Sequence, residues 1–226
     1  MRTSTPAALR QLGAGLRALL VLTLVVGVAY PLLLTAVAQV VLPDHADGSL
    51  VASRDGLVGS ELLGQSFTRP VTEDGEPVTD AVGVPVTEPD PAYFQNRPSA
   101  AGGGYDPLSS SASNYGPENP DLVALVEERR ALVAALDGVD PEQVPPDALL
   151  ASGSGLDPHI SPAYAHLQAA RVARERGLAP EQVRRLVDDL TQGRSLGFLG
   201  EPRVNVLLLN LALDEQAGTP DEADSE

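Results

Sequence analysis

Residues 18–42 read ALLVLTLVVGVAYPLLLTAVAQVVL, twenty-five positions without a formal charge, fifteen of them Leu or Val. As an α-helix the stretch would reach roughly 37 Å at about 1.5 Å per residue, enough to cross a hydrocarbon layer about 30 Å thick with some tilt. Fifteen Leu and Val at a few tenths of a kcal/mol each favour insertion by on the order of 5 kcal/mol before corrections for polar residues and proline. The stretch therefore reads as one transmembrane helix over 18–42. A cleaved signal peptide is the competing reading, because Ala36-Val37-Ala38 fits the small-x-small rule and arginines precede the run. The run is longer than the about 7–15 apolar residues of a signal peptide, and Val40-Val41-Leu42 continue past the cut.

Charge orients the span. Arg2, Arg10 and Arg17 precede it with no acid among residues 1–42, whereas the rest of the chain holds twelve arginines against thirty-one acids, a balance of −19. Arginines stay in the cytoplasm, so residues 1–17 are expected as a cytoplasmic tail and the chain after residue 42 as extracytoplasmic. The acidic surface repels phosphate backbones and excludes nucleic acid as a partner. With no cysteine in the chain, disulfides, thiolate metal sites and thiol nucleophiles are excluded. Within the span, Pro31 lacks the amide that would pair with the carbonyl of Gly27, which predicts a kink. Thr23 and Gly27, four apart and small, would let a partner helix approach.

The exported part reads as a single α+β domain over 43–214, helix-rich with a small β portion, followed by a disordered acidic tail over 215–226. Asp47-Gly48 and Asp55-Gly56 punctuate short β-compatible pieces and predict a hairpin. Residues 69–92 carry five prolines and six acids, a composition that predicts a mobile loop. Asn119-Pro120 opens a helix that stops at Gly138, Ser161-Pro162 one that stops at Gly177, and Ala179-Pro180 one that extends to Gly193. Residues 204–213 are too uniformly apolar for periodicity to separate strand from helix.

Motifs for chemistry are few. Ser152, Ser154, Asp157 and His159 suggest a Ser-His-Asp set, but the glycine-flanked nucleophile elbow is missing and triad members converge from separate elements. A turn is the simpler reading: Asp157-Pro158 starts it and Ser161 caps the next helix. His45, His159 and His166 include only one pair that helical geometry could place together, the cysteines that usually complete a zinc site are absent, and no Walker A or dinucleotide glycine motif is present. The residues alone lead to an anchored protein with an acidic exported domain.

A resemblance says more. Residues 151–162, ASGSGLDPHISP, followed by Gln168, Arg171-Val172-Ala173 and Arg176-Gly177, resemble the signature of the C subunit of Kdp-type potassium-transporting P-type ATPases. Tyr30-Pro31-Leu32, residues 64–67 (GQSF), 93–100 (YFQNRPSA), Ser113-Asn114, 200–207 (GEPRVNVL) and 209–214 (LNLALD) match in the same order. The long 69–92 stretch, Tyr164 in place of a small residue, and the acidic tail depart from the pattern.

The resemblance implies a non-catalytic subunit of a potassium-uptake complex in the cell membrane. Its partners would be a channel-like potassium-binding subunit (KdpA), a P-type ATPase subunit (KdpB), a small helical subunit (KdpF) and membrane lipid. Such subunits are described as catalytic chaperones that raise the ATP affinity of the ATPase subunit, with Gln168 implicated. K⁺ would be the cargo of the complex and ATP its fuel. The topology sets Gln168 across the bilayer from cytoplasmic ATP, which favours assembly, stabilisation and an outer cap over the K⁺ entrance. The motif residues expected to shape partner contacts are Ser154, Gly155, Leu156, Asp157, Pro158, Ser161, Pro162, Arg171, Asn205 and Asn210. Asp157 and Arg171 are expected to fix the motif turn against its following helix or against the channel-like subunit. A membrane-anchored extracytoplasmic ligand-binding domain is the alternative function, and an enzyme the third.

Overall fold

A computed structural model of the chain describes residues 7–53, 56–73, 76–81 and 83–217. Arg2, the Asp55 turn position and the tail after Ala217 lie outside the described residues. The chain divides into two compact units between Leu50 and Val51.

The first unit is one helix, α1 (Ala7–Val41), followed by a helical turn at Pro43–Ala46. Among the described residues α1 is the one helix long and apolar enough to cross a membrane, and none of its residues is buried. It starts well before the charge-free run, so Arg10 and Arg17 are helical, and Arg17 Nε donates to the Gly13 carbonyl at 3.1 Å. Pro31 is accommodated by a π-helical turn over Val25–Ala29, in which the amide of Tyr30 donates to the carbonyl of Val25. Inserting a residue into the ladder just before a proline is a common way to keep a helix continuous where a donor is missing. The Pro31 carbonyl accepts a second bond from Thr35 Oγ1 at 2.9 Å.

The second unit mixes helix and strand. β1 (Leu50–Ser53) and β2 (Gly56–Ser60) form the expected hairpin. Residues 69–92, expected as a loop, instead carry paired strands. β3 (Thr68–Pro70) runs antiparallel to β6 (Thr87–Pro89), and between them β4 (Thr72–Glu73) pairs with β5 (Glu76–Pro77). Pro70, Pro77 and Pro89 sit at strand ends, positions where a missing ladder amide is tolerated. Arg69 and Glu88 pair across the ribbon at 2.8 Å, both half-exposed.

Four helices and a small sheet enclose the core. α2 (Pro120–Asp137) is capped by Asn119, whose side chain accepts from the Asp121 amide, and ends at Gly138 in the left-handed region (φ 68°). α3 (Pro162–Arg176), capped by Ser161, ends at Gly177 (φ 67°). α4 (Pro180–Asp189) buries Val183, Leu186 and Val187, an i, i+3, i+4 stripe. It stops before Gly193 because the next residues join a sheet, an end the glycine alone does not reveal. β8 (Thr191–Gln192) pairs with β9 (Arg203–Asn205), which also pairs with β7 (His159–Ile160).

The ambiguous run from Val204 resolves as both alternatives. β9 ends at Asn205 and α5 (Val206–Ala217) begins at once. Asn205 makes the switch: its Oδ1 accepts from the Leu208 amide at 3.2 Å, a helix N-cap contact, while its Nδ2 donates to the Glu61 carbonyl at 2.8 Å. Ala165, Ala169 and Ala173 repeat every four residues on α3, all fully buried with Val172, and the core continues through Phe94, Val204, Leu209 and Leu213.

Candidate functional site

Three of the matched stretches meet, with Gln168 and Arg171 on α3 and Asn210 on α5 bonding to the chain around residues 93–95. Residues 91–93 form a turn and residues 94–95 belong to no sheet, and side chains from the helices bond to the backbone of both stretches. Asn210 on α5 accepts from the Phe94 amide at 2.9 Å and donates to the Phe94 carbonyl at 3.0 Å. Gln168 on α3 does the same for the next residue, accepting from the Gln95 amide at 2.7 Å and donating to its carbonyl at 3.1 Å. Two carboxamides thus hold consecutive residues of the segment, each through both its amide and its carbonyl. A buried backbone left without such partners would be costly.

Arg171 completes the clamp. Its guanidinium is wholly buried; Nε pairs with Asp137 Oδ1 at 2.7 Å, Nη1 donates to the carbonyls of Pro91 (2.6 Å) and Tyr93 (2.9 Å), and Nη2 to Gln168 Oε1 (2.7 Å). Asp137 closes α2, so this one side chain joins two helices to the 91–95 segment. Burial pushes the Asp137 pKa up, more than the Arg171 charge and hydrogen bond pull it down. Next to the clamp, Arg176 lies 4.4 Å over the ring of Tyr93, which stacks on Phe67 at 5.6 Å, and pairs with Asp214 at 2.8 Å.

The 151–162 motif folds as a turn against the following stretch, 97–105. Ser152 and Ser154 hydroxyls accept from the amides of Gly155 (2.9 Å) and Leu156 (3.1 Å). Gly155 takes φ 70°, and a β-carbon there would lie 2.7 Å from the Ala101 amide and the Ser111 carbonyl, so only glycine fits. Its carbonyl accepts from Ser99 Oγ at 2.7 Å. The Leu156 carbonyl accepts from the Gly64 amide at 2.8 Å, and the carbonyl of buried Pro158 from the Val206 amide at 3.0 Å. Ser161 caps α3 through the Tyr164 amide at 3.0 Å and is held by both oxygens of Asp147, with Pro162 in the first turn.

Asp157 and Arg171, both expected to fix the motif turn, have separate partners. Asp157 Oδ2 faces Arg97 Nη1 at 3.3 Å, and its Oδ1 takes the His159 amide at 3.0 Å and His159 Nδ1 at 3.2 Å. Burial works to raise the Asp157 pKa, but the His159 hydrogen bonds and the His159 and Arg97 charges together outweigh it and bring it below the usual carboxylate value. Asp137 was invisible as a partner although its position is informative: it falls three residues after buried Ala134, an acid on the apolar face of α2.

The motif residues expected to shape partner contacts thus all lie among the described residues, and most bind the molecule to itself. Gln168 is fully enclosed with both ends of its carboxamide engaged, so in this conformation it offers no group to a nucleotide. Among the described residues, neither Ser152 nor Ser154 is hydrogen-bonded to His159, and no three His, Asp or Glu side chains gather as a metal-binding group.

Comparison with known proteins agrees with the motif reading. The family model KdpC, described as K+-transporting ATPase, c chain, matches residues 12–215. The Potassium-transporting ATPase KdpC subunit of Kineococcus radiotolerans is 53% identical over 209 residues, covering 92% of this chain and 95% of its own. That of Sorangium cellulosum is 52% identical over 200 residues (87% and 93%), and that of Streptomyces coelicolor 46% over 226 residues (95% and 96%). The matched region takes in both the clamp and the motif turn, and the chain belongs to the KdpC family, the c chain of K⁺-transporting ATPases.

Proposed function

We propose that the chain is a non-catalytic subunit that assembles and stabilises an ATP-driven potassium-uptake complex. It crosses the cell membrane once through the apolar part of α1, with its N-terminus in the cytoplasm and residues 43–214 outside. There it forms an outer cap over the K⁺ entrance of the channel-like subunit. The ATPase subunit hydrolyses ATP, and any influence of this chain on ATP affinity passes through the complex. The charge distribution supports the orientation: arginines precede the span and a balance of −19 follows it.

The burial of Gln168 is the observation that carries this reading. Its carboxamide holds the Gln95 amide and carbonyl, a structural role in which its full burial leaves no exposed atom for nucleotide contact. The test is Gln168→Ala in the complete complex. The expected result is a lower unfolding midpoint of the chain and a lower yield of assembled complex, with an unchanged KM for ATP in the complex that does assemble. A raised KM for ATP with normal stability and yield would overturn it. Protease added to spheroplasts checks the topology: degradation of the chain beyond Pro43 is expected, and protection of it reverses the orientation.

A further inference from the structure

The loop joining β8 to β9 presents apolar side chains to solvent on a frame that keeps them there. Ser195 and Leu199 form an antiparallel bridge, each amide donating to the other's carbonyl at 2.9 Å. The amide of Gly197 donates to the Arg194 carbonyl at 3.1 Å and that of Phe198 to the Ser195 carbonyl at 3.3 Å. At the base, Arg194 and Glu201 pair at 2.6 Å. The frame holds Leu196 at φ 54°, an uncommon conformation for a large side chain and one kept where the surroundings enforce it. Leu196, Phe198 and Leu199 are 83%, 68% and 50% exposed. The chain has only three phenylalanines. Phe94 is in the core and Phe67 packs on Tyr93, so Phe198 alone faces outward. A single exposed leucine is ordinary; three large apolar groups on one closed tip mark a contact surface.

We propose that the 194–201 hairpin is a docking tip whose Leu196 and Phe198 seat in an apolar pocket on another subunit of the transport complex, on the side of the membrane that holds this unit. The proposal rests on the reading of the chain as an assembly subunit. Area and charge select the occupant. The tip offers on the order of 300 Å² of apolar surface, given about 150–250 Å² for a whole aromatic side chain, whereas a free-standing interface buries about 1,200–2,000 Å². That is too little to hold a second copy of the chain from solution. It suffices for a partner that the membrane already keeps alongside, because a tethered second contact acts at high effective concentration. A lipid surface is disfavoured, since the chain beyond residue 42 carries twelve arginines against thirty-one acids and anionic headgroups repel it.

The test uses membranes containing the full complex, with p-benzoylphenylalanine placed at position 198 and, as a control, at position 108, where Leu108 is also exposed. Irradiation should give an adduct with the channel-like or ATPase subunit from position 198 and none from position 108. In parallel, Leu196→Ser with Phe198→Ser should cut the other subunits recovered with the tagged chain at least fivefold, while the unfolding midpoint of the full-length chain in detergent stays unchanged. Adducts with lipid alone, or with a second copy of the chain alone, overturn the docking tip. So does full recovery of the double variant. Failure of the unaltered chain to recover any other subunit removes the assembly reading itself, a result separable from an indifferent double variant in an otherwise normal complex.

Discussion

α1 and α5 are both made from runs of Leu, Val and Ala, yet no residue of α1 is buried, whereas Val206, Leu207, Leu209, Asn210 and Leu213 of α5 are. Length is one difference, 35 residues against 12. The more instructive one is what the polar residues do. In the middle of α1 the exceptions to apolarity serve the helix itself, a π turn taking up Pro31 and Thr35 bonding back to the Pro31 carbonyl, and only near its end does Gln39 reach out, to Asp47. In α5 Asn210 serves another segment by holding Phe94, and Asn205 just before the helix holds Glu61. An apolar helix in a folded interior must satisfy the backbone packed against it, while one facing lipid must satisfy only its own.

The largest test of that contrast is Arg171→Ala, which strands Asp137 and the carbonyls of Pro91 and Tyr93 inside the core. Removing one partner of a buried pair costs about 3–5 kcal/mol, and the loss here is expected at the upper end of that range by denaturant unfolding of the full chain in detergent. Adding Asp137→Leu should recover only part, because the two carbonyls and Gln168 stay unpaired. Full recovery would mean that the ion pair, and not the hold on residues 91–95, is what Arg171 supplies. Next in size is Asn210→Leu, which makes α5 as apolar as α1. It raises hydrophobicity and is nonetheless expected to destabilise by about 2–4 kcal/mol, at about 1–3 kcal/mol for each stranded group of Phe94. A neutral or stabilising outcome would erase the distinction between the two helices.

Much of this could be read in advance, unevenly. Caps and stops placed α2 and α3 correctly because Asn119-Pro120, Ser161-Pro162, Gly138 and Gly177 act locally on the backbone. α4 ended early because pairing of Thr191 and Gln192 with β9 is a long-range event that no neighbouring residue encodes. The same holds for residues 69–92, whose strands pair with partners up to twenty-one positions away. In the site, the motif residues were legible as a set and their pairings were not. Arg171 reaches Asp137 from thirty-four residues away and the Pro91 carbonyl from eighty, distances at which spacing carries no information.

A smaller effect is expected on the α1 side. Pro31→Leu restores the missing amide and removes the reason for the π turn, so the helix becomes regular and the register of its two halves shifts. The unfolding free energy of the second unit should stay within about 0.5 kcal/mol of the unaltered chain, as for changes away from a packed core. The yield of assembled complex should fall, since the altered register rotates one half of the lipid-facing helix against its partners. Unchanged yield would reduce α1 to an anchor whose proline is incidental.

The smallest expected effect separates the two buried-side carboxylates by pH. Asp137 has its pKa raised in the fold, so its contribution favours the native state at low pH and fades as pH rises through that raised value. Asp157 has its pKa lowered, so its contribution is present above the unfolded value of about 3.8 and is lost as pH falls through the folded one. The Asp157–Arg97 pair is partly open to solvent, with 31% and 24% of the side chains exposed, and such pairs contribute about 0–1 kcal/mol. Asp157→Asn keeps the hydrogen-bond acceptor for the His159 amide and removes the charge. At pH 7 it should change stability by no more than about 1 kcal/mol, but between pH 5 and about 3 it should flatten the acid-side decline of the unfolding midpoint, because the group that must take up a proton on unfolding is gone. Arg97→Met should reproduce part of that flattening, and the two together little more than Asp157→Asn alone. Parallel acid limbs in the unaltered chain and in Asp157→Asn would show that the motif turn is held by its serines, glycine and backbone bonds, with the carboxylate charge adding nothing.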